Sequence, residues 1–184
     1  MASWRGEGHS CQAMLPLLST DRLLFAPFGP DDLALLRSLH GDPLVMRYLS
    51  ADGEPWPDSV LTAKLARFIA EQRDLGFSKW KVVRRADRRF IGRAGFSPFE
   101  NGVELGFILE QGTWGRGYAT ECARGLLQWI ARERPGIAPI VAFAHPDNLA
   151  SRRILEKIGM TPIGLRTVDG LDHAFYEARP DSLR

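Results

Sequence analysis

Glu104-Leu-Gly-Phe-Ile-Leu-Glu-Gln-Gly-Thr-Trp-Gly-Arg-Gly-Tyr-Ala-Thr-Glu121 changes its hydrophobic period midway, and the change decides the fold. Leu105, Phe107 and Leu109 alternate with Glu104, Gly106 and Ile108, the period of a strand. A glycine-rich loop from Gly112 to Gly117 follows. From Ala119 the spacing turns helical, with Cys122, Ala123, Leu126, Trp129 and Ile130 on one face. The first turn of a helix has unpaired N–H donors and the positive end of the dipole, so a strand, a glycine loop and a helix start together suit an anion. Gly115 and Gly117 remove the side chains that would hold a diphosphate away from those donors.

Two familiar phosphate motifs are excluded on residues. A P-loop needs Lys followed by Ser or Thr after its last glycine, and Tyr118-Ala119 stands there. A dinucleotide fingerprint needs Gly or Ala three places after Gly117, where Thr120 stands, and the next apolar run, Ile140 to Ala144, ends without an acid. Trp114-Gly-Arg-Gly-Tyr-Ala119, read with Asn148-Leu-Ala-Ser-Arg-Arg-Ile-Leu-Glu-Lys-Ile-Gly-Met160, resembles instead the GNAT family of N-acetyltransferases. Within it the chain is most similar to the branch of ribosomal-protein N-terminal acetyltransferases. Leu18-Ser-Thr-Asp-Arg-Leu-Leu-Phe25 and the region from Gly41-Asp-Pro-Leu-Val45 carry the same likeness, so it runs in order from Leu18 onward.

The remaining features fit that resemblance. A chain of 184 residues with 45% hydrophobic content suits one domain, expected over residues 15–184 behind a flexible tail at 1–14. A formal charge of +2 is too small to imply nucleic acid. Two cysteines, Cys11 and Cys122, make no disulfide framework, and Cys122 reads as a reduced core thiol. No apolar run has membrane-spanning length and the N-terminus lacks a signal-peptide core, so the expected location is cytoplasmic.

Along the chain, Arg22 to Phe28 reads as a strand, and Asp31 or Asp32 caps a helix with Leu33, Leu36 and Leu39 inward. Pro43 starts a short helix through Tyr48, Asp52 to Pro57 is a loop, and Asp58 or Ser59 opens a helix that Gly76 ends. Strands follow at Phe77 to Arg84 and Arg89 to Phe96, around a turn at Ala86-Asp87 whose Arg84, Arg85, Arg88 and Arg89 read as a solvated hairpin tip. Asn101-Gly102 is the turn into the next strand. Past the long helix come the strand Ile140 to Ala144 and a helix capped by Asn148, with Ala150, Ile154, Leu155 and Ile158 inward. A hairpin around Asp169-Gly170 closes the chain. The order is that of an α/β, mixed α+β chain. It agrees with the acyl-CoA N-acyltransferase fold the resemblance implies, a mostly antiparallel sheet splayed between two parallel strands with helices on both faces.

The resemblance also implies residues. Acetyl-CoA would be anchored by Trp114, Gly115, Arg116, Gly117, Tyr118, Ala119 and Thr120, by Asn148, and by the backbone of Phe107, Ile108 and Leu109 along the pantetheine arm. Glu104 matches a frequent general base, with a structural ion pair as its other reading and His145 and His173 as alternative bases. Many relatives place a tyrosine acid seven residues after the asparagine. Leu155 stands there in this chain, and Ser151 matches the serine of the ribosomal-protein branch. Arg152 and Arg153 read as a solvated helix face, with the coenzyme's 3′-phosphate as the other reading. Asp52, Glu54 and Asp58, with Tyr48, Trp56 and Trp80, are the expected acceptor side.

The activity implied is direct acetyl transfer to a primary amine, a protein N-terminal α-amine by the branch likeness. An aminoglycoside, polyamine or amino acid is the alternative acceptor, and a non-catalytic acyl-CoA sensor is the alternative function. No metal, membrane or nucleic-acid partner is expected. The last hairpin and the sheet edge are the surfaces on which a homodimer would form.

Overall fold

The computed structural model describes residues 16–50, 52–168 and 170–178, and Cys11, the tail at 1–14 and Asp169 lie outside them. Within that range the strands are β1 (Leu18–Ser19), β2 (Leu23–Ala26), β3 (Lys79–Arg84), β4 (Phe90–Phe99), β5 (Gly102–Leu109), β6 (Ile140–Ala144), β7 (Thr161–Val168) and β8 (Leu171–Ala178). The helices are α1 (Leu33–His40), α2 (Pro43–Met46), α3 (Asp58–Leu75), α4 (Tyr118–Glu133) and α5 (Leu149–Lys157). Single 3₁₀ turns at Pro30–Asp32 and Gln111–Thr113 precede α1 and follow β5.

The eight described strands form one sheet in the order β1-β2-β3-β4-β5-β6-β8-β7. Each neighbouring pair is antiparallel except β5 and β6. A parallel crossover needs a long connection, and α4 supplies it. One face buries Phe25, Trp80, Val82, Phe96, Leu105, Leu126 and Ile130 in a common core with α4 and α5. The other buries Phe28, Leu36, Leu61, Leu65 and Phe68 beneath α1 and α3.

The parallel pair is short. Only Val103↔Ile140 and Glu104↔Val141 are in register. Beyond Glu104, β5 stays with β4 as far as Gly92↔Leu109, and β6 stays with β8 as far as Ala144↔Ala174. The sheet therefore opens as a wedge between Leu105–Leu109 and Ala142–Ala144, the splay expected from the resemblance.

Two local expectations shift, at the β4–β5 turn and at Ala150. The hairpin from β4 to β5 turns at Glu100-Asn101, because Phe99 already pairs with Gly102. Glu100 takes the positive φ of 48° that the turn requires. Gly102 is needed for another reason: a Cβ there would lie 2.0 Å from the Pro139 carbonyl oxygen, where the chain enters β6. Ala150 is exposed, since the first turn of α5 faces away from the core toward the open wedge. At the β3–β4 tip, Arg84 pairs with Asp87 and Arg89 with Glu110, while Arg85 donates to the Thr20 carbonyl.

Replacing Gly102 by Ala forces backbone apart beside the parallel pair. We expect a loss of about 2–4 kcal/mol in urea unfolding, whereas Gly136→Ala, with no atom within 4 Å of the new methyl, stays within about 0.5 kcal/mol of the parent.

Candidate active site

The glycine loop is a backbone device, held from behind. Gly115 and Gly117 adopt φ of 72° and 79°, a left-handed conformation that glycine enters without a Cβ penalty. Gly117 caps α4, whose first intrahelical bond runs from Glu121 N to Gly117 O at 3.1 Å. The N–H groups of Tyr118, Ala119 and Thr120 stand ahead of that bond at the helix mouth. Trp114 fixes the loop to β5 through Nε1, which donates to the Leu109 carbonyl at 2.9 Å.

Arg22, at the start of β2, braces the loop from the far side. Its Nε donates to Glu121 Oε2 at 2.6 Å, its Nη1 to the Arg116 carbonyl at 3.0 Å, and its guanidinium lies 4.5 Å from the Tyr118 ring centre. Thr20 Oγ1 and Arg22 N complete the shell around Glu121 Oε1 at 2.6 and 2.8 Å. Burial opposes the charge on Glu121, but these bonds outweigh it and hold the carboxyl below its usual range. Sequence reasoning missed this brace, although Thr20 and Arg22 sit within the quoted Leu18–Phe25 motif.

A cavity of about 840 Å³ runs from the loop through the wedge to the face of the sheet under α2 and α3. Phe107, Ile108, Leu109, Trp114, Gly115, Gly117, Tyr118, Ala119, Thr120, Asn148, Ser151 and Glu104 all line it, as do Tyr48, Trp56, His145 and His173. Arg116 does not; its side chain is exposed and its carbonyl serves the Arg22 brace. Asn148 Oδ1 accepts from Ser151 N at 3.1 Å and so caps α5. Arg152 is held by the Tyr176 hydroxyl and the Pro146 carbonyl, so it is not a free surface charge as expected, and it stands outside the cavity.

The acceptor side needs correction. Trp80 is fully buried, because period-two alternation turns it onto the α4 face, edge-on to Trp129 at 4.8 Å. Asp52 caps its own loop at Glu54 N, and Asp58 is engaged by Arg37 at the surface. Neither these acids nor Glu54 line the cavity. Cations do: Lys79, Arg93, Arg67, Lys64 and Arg47. Lys79 and Arg93 are buried. Arg93 is the one charge in β4, Phe-Ile-Gly-Arg-Ala-Gly-Phe-Ser-Pro-Phe, which was the available signal, whereas Lys79 opens a strand that also carries Lys81 and Arg84.

Lys79 lies across a floor of Gly95 and Gly106, its cross-strand neighbours. Its Nζ donates to the carbonyls of Gly95 and Glu104 at 3.0 and 3.1 Å and to Glu104 Oε2 at 2.5 Å. A Cβ at Gly106 would sit 2.5 Å from Glu104 Oε1. Burial pulls the Lys79 ammonium down, and Glu104 opposes that. His173 Nδ1 donates to the Leu171 carbonyl at 2.8 Å, and His145 stacks on Tyr48 at 5.2 Å. Burial, with Glu121 nearby, pushes the Cys122 thiol up, so a thiolate route has no support there. Among the described residues no group of His, Cys, Asp and Glu could hold a metal, and no helix is long and apolar enough to cross a membrane.

A loop of free helix-end donors opening into a split parallel pair forms a site for a ligand with an anionic group at the loop and an extended arm in the wedge. The profile of the acetyltransferase (GNAT) domain matches residues 22–161, and the chain belongs to that family. It is an acetyl-coenzyme A-dependent N-acetyltransferase. It is similar to the uncharacterized N-acetyltransferase YnaD of Bacillus subtilis strain 168, at 28% identity over 78% of this chain and 81% of that one. An acetyltransferase of Agrobacterium tumefaciens C58 shares the fold with a TM-score of 0.76 and 24% identity, covering 96% of this chain and 99% of that one. So does RimL, a ribosomal L7/L12 alpha-N-protein acetyltransferase solved with coenzyme A, with a TM-score of 0.72 and 16% identity over 87% of this chain and 95% of that one.

His40, buried under Trp56 at 4.6 Å, gives the site a pH limit. Burial first, then Arg93 and Lys64, lowers its imidazole to about 2. The unfolded chain takes up that proton at about 6.5 and the folded one does not, so stability is complete above about pH 6.5 and falls below it. Urea unfolding at pH 7.5 and pH 5 should show a loss approaching about 1.4 kcal/mol per pH unit below 6.5 from this group, and His40→Gln should remove that part of the slope.

Proposed function

We propose that this acetyltransferase acts on an α-amine, with a peptide or protein N-terminus as the leading acceptor. The observation that carries the reading is the cavity itself, which joins the glycine loop to Glu104 through the wedge and ends among cations. A cationic wall disfavours an ammonium and favours the neutral amine that attacks. An α-amine titrates at about 7.7–8.0 and a lysine at about 10.4, so the α-amine is the easier nucleophile in such a place. The same wall speaks against aminoglycosides and polyamines, which would bring several positive charges to a site with few acids. The fold shared with RimL agrees with an N-terminal acceptor.

In this reading the N–H groups of Gly117 to Thr120 bind the diphosphate, and Asn148 and the β5 backbone from Phe107 to Leu109 hold the arm. Glu104 takes the proton of the amine. Lys79 occupies Oε2 of that carboxylate and leaves Oε1 for the substrate. The amine nitrogen bonds to the thioester carbonyl carbon, the carbon–sulfur bond breaks, and Ser151, on the cavity wall, is the proposed proton donor to the sulfur. A thiol of pKa near 8.5 leaves with little help, so Ser151 has a modest role.

Thiol release from acetyl-coenzyme A, measured with peptide N-termini beside small amines, tests this. Gly117→Trp should abolish coenzyme binding, because an indole would fill the loop mouth and strain a left-handed residue. Glu104→Gln should leave coenzyme affinity within about twofold while lowering kcat by about 10²-fold or more. Release with polyamines but not with α-amines would overturn the acceptor assignment.

A further inference from the structure

The charges of the acceptor wall pair off unevenly. Lys79 has Glu104, and Arg67 has Glu71 at 3.5 Å. Arg93 is 7% exposed, yet among the described residues no carboxylate lies within the 4.0 Å of an ion pair. Its Nε donates to His40 Nε2 at 3.1 Å, and its guanidinium lies 5.5 Å from the Phe68 ring centre. Both partners are neutral: the Nε2 that accepts is a lone pair, and His40 Nδ1 faces the Met46 sulfur at 3.3 Å. Burial pulls even this guanidinium down, to about 10, with Glu104 opposing and Arg67 adding to the fall. A buried cation without a counter-ion is expensive unless something supplies one, and Arg93 opens onto the cavity.

We infer that Arg93 is an anion-recognising residue of the acceptor subsite, and that the acceptor is a primary amine carrying a carboxylate several bonds from its nitrogen. This rests on the amine-acetylation reading of the cavity. Register supports the spacing. Arg93 pairs with Ile108, and Glu104, four residues before Ile108 in β5, lies on the same face of the sheet. Strand geometry sets their Cα atoms roughly 14 Å apart. An extended acceptor with its nitrogen at Glu104 and an acidic side chain at Arg93 spans the space between the side-chain tips. Of the Arg93 side-chain nitrogens only Nε has a hydrogen-bond partner among the described residues, so the fork of two Nη groups can take a carboxylate side-on, which an ammonium could not match. Two sources share this chemistry: an acidic side chain within the first residues of a peptide, and a free dicarboxylic amino acid.

The experiment uses acid and amide pairs that differ only in charge. The acetylated products, N-acetyl-Ser-Asp and N-acetyl-Ser-Asn peptides and N-acetylglutamate and N-acetylglutamine, are titrated calorimetrically into the full chain saturated with coenzyme A. At least one acid should bind about tenfold or more tightly than its amide, and the pair that shows it identifies the source. Arg93→Gln should bring that ratio near one, and Arg93→Lys should retain part of it. Equal binding of acid and amide in both pairs by the parent protein would overturn the proposal without any variant having to fold. Turnover of the unacetylated pairs is read separately. An acid preference in binding without thiol release would leave the subsite standing and sink the enzymatic reading; release with no acid preference would do the reverse.

Discussion

The parting of β5 from β6 after two residue pairs is the constraint on which the rest of the structure depends. Both strands satisfy one edge in full, β5 against β4 and β6 against β8, and each turns its other edge to the wedge. Exposed strand edges in the middle of a sheet are unusual, because they leave backbone donors and acceptors without partners. Here α4 and α5 close the wedge from one face, and the glycine loop stands at its mouth, so the unpaired backbone becomes a lined channel. Gly102 keeps the remaining pairs tight enough to act as its apex.

The apex is also where charge is concentrated. Glu104 forms the last parallel pair and, through its side chain, the first polar group of the acceptor face. Lys79 reaches it over a bare Gly106, where a Cβ would lie 2.9 Å from Lys79 Nζ and 3.3 Å from its Cε. The same face holds Arg93 against a neutral His40. Buried ion pairs often add little to stability. Their placement here, beside a cavity, suits a site that sorts substrates by charge and favours the uncharged form of an amine.

Much of this was legible in the chain. The switch from period two to helical spacing around Gly112 to Gly117 located β5, the loop and α4, and four ordered motifs gave the family. What failed did so for local reasons. Asn101-Gly102 looked like a turn by dipeptide preference, but the glycine was required by contact with Pro139, a neighbour distant in sequence. Trp80 was placed in the site by its chemistry and removed from it by strand parity, since the adjacent Lys79 faces the cavity. Arg22 and Glu121, 99 positions apart, form a brace that no local pattern announces. Asp52 and Asp58 looked like part of a substrate-binding cluster, yet Asp52 accepts from the backbone of its own loop and Asp58 pairs with Arg37 of α1.

The short seam between β5 and β6 also gives the coenzyme a mechanical part. The strands before α4 and those after it meet edge to edge through two rungs, so the sheet resembles two leaves bound at one corner. On the proposed reading, an arm laid along the open edge of β5 would supply rungs that the polypeptide lacks. Ligand that binds only the folded chain raises its stability in proportion to RT ln(1 + [L]/Kd). Folding and cosubstrate supply would thereby be linked, the two leaves being joined most firmly when the proposed site is filled.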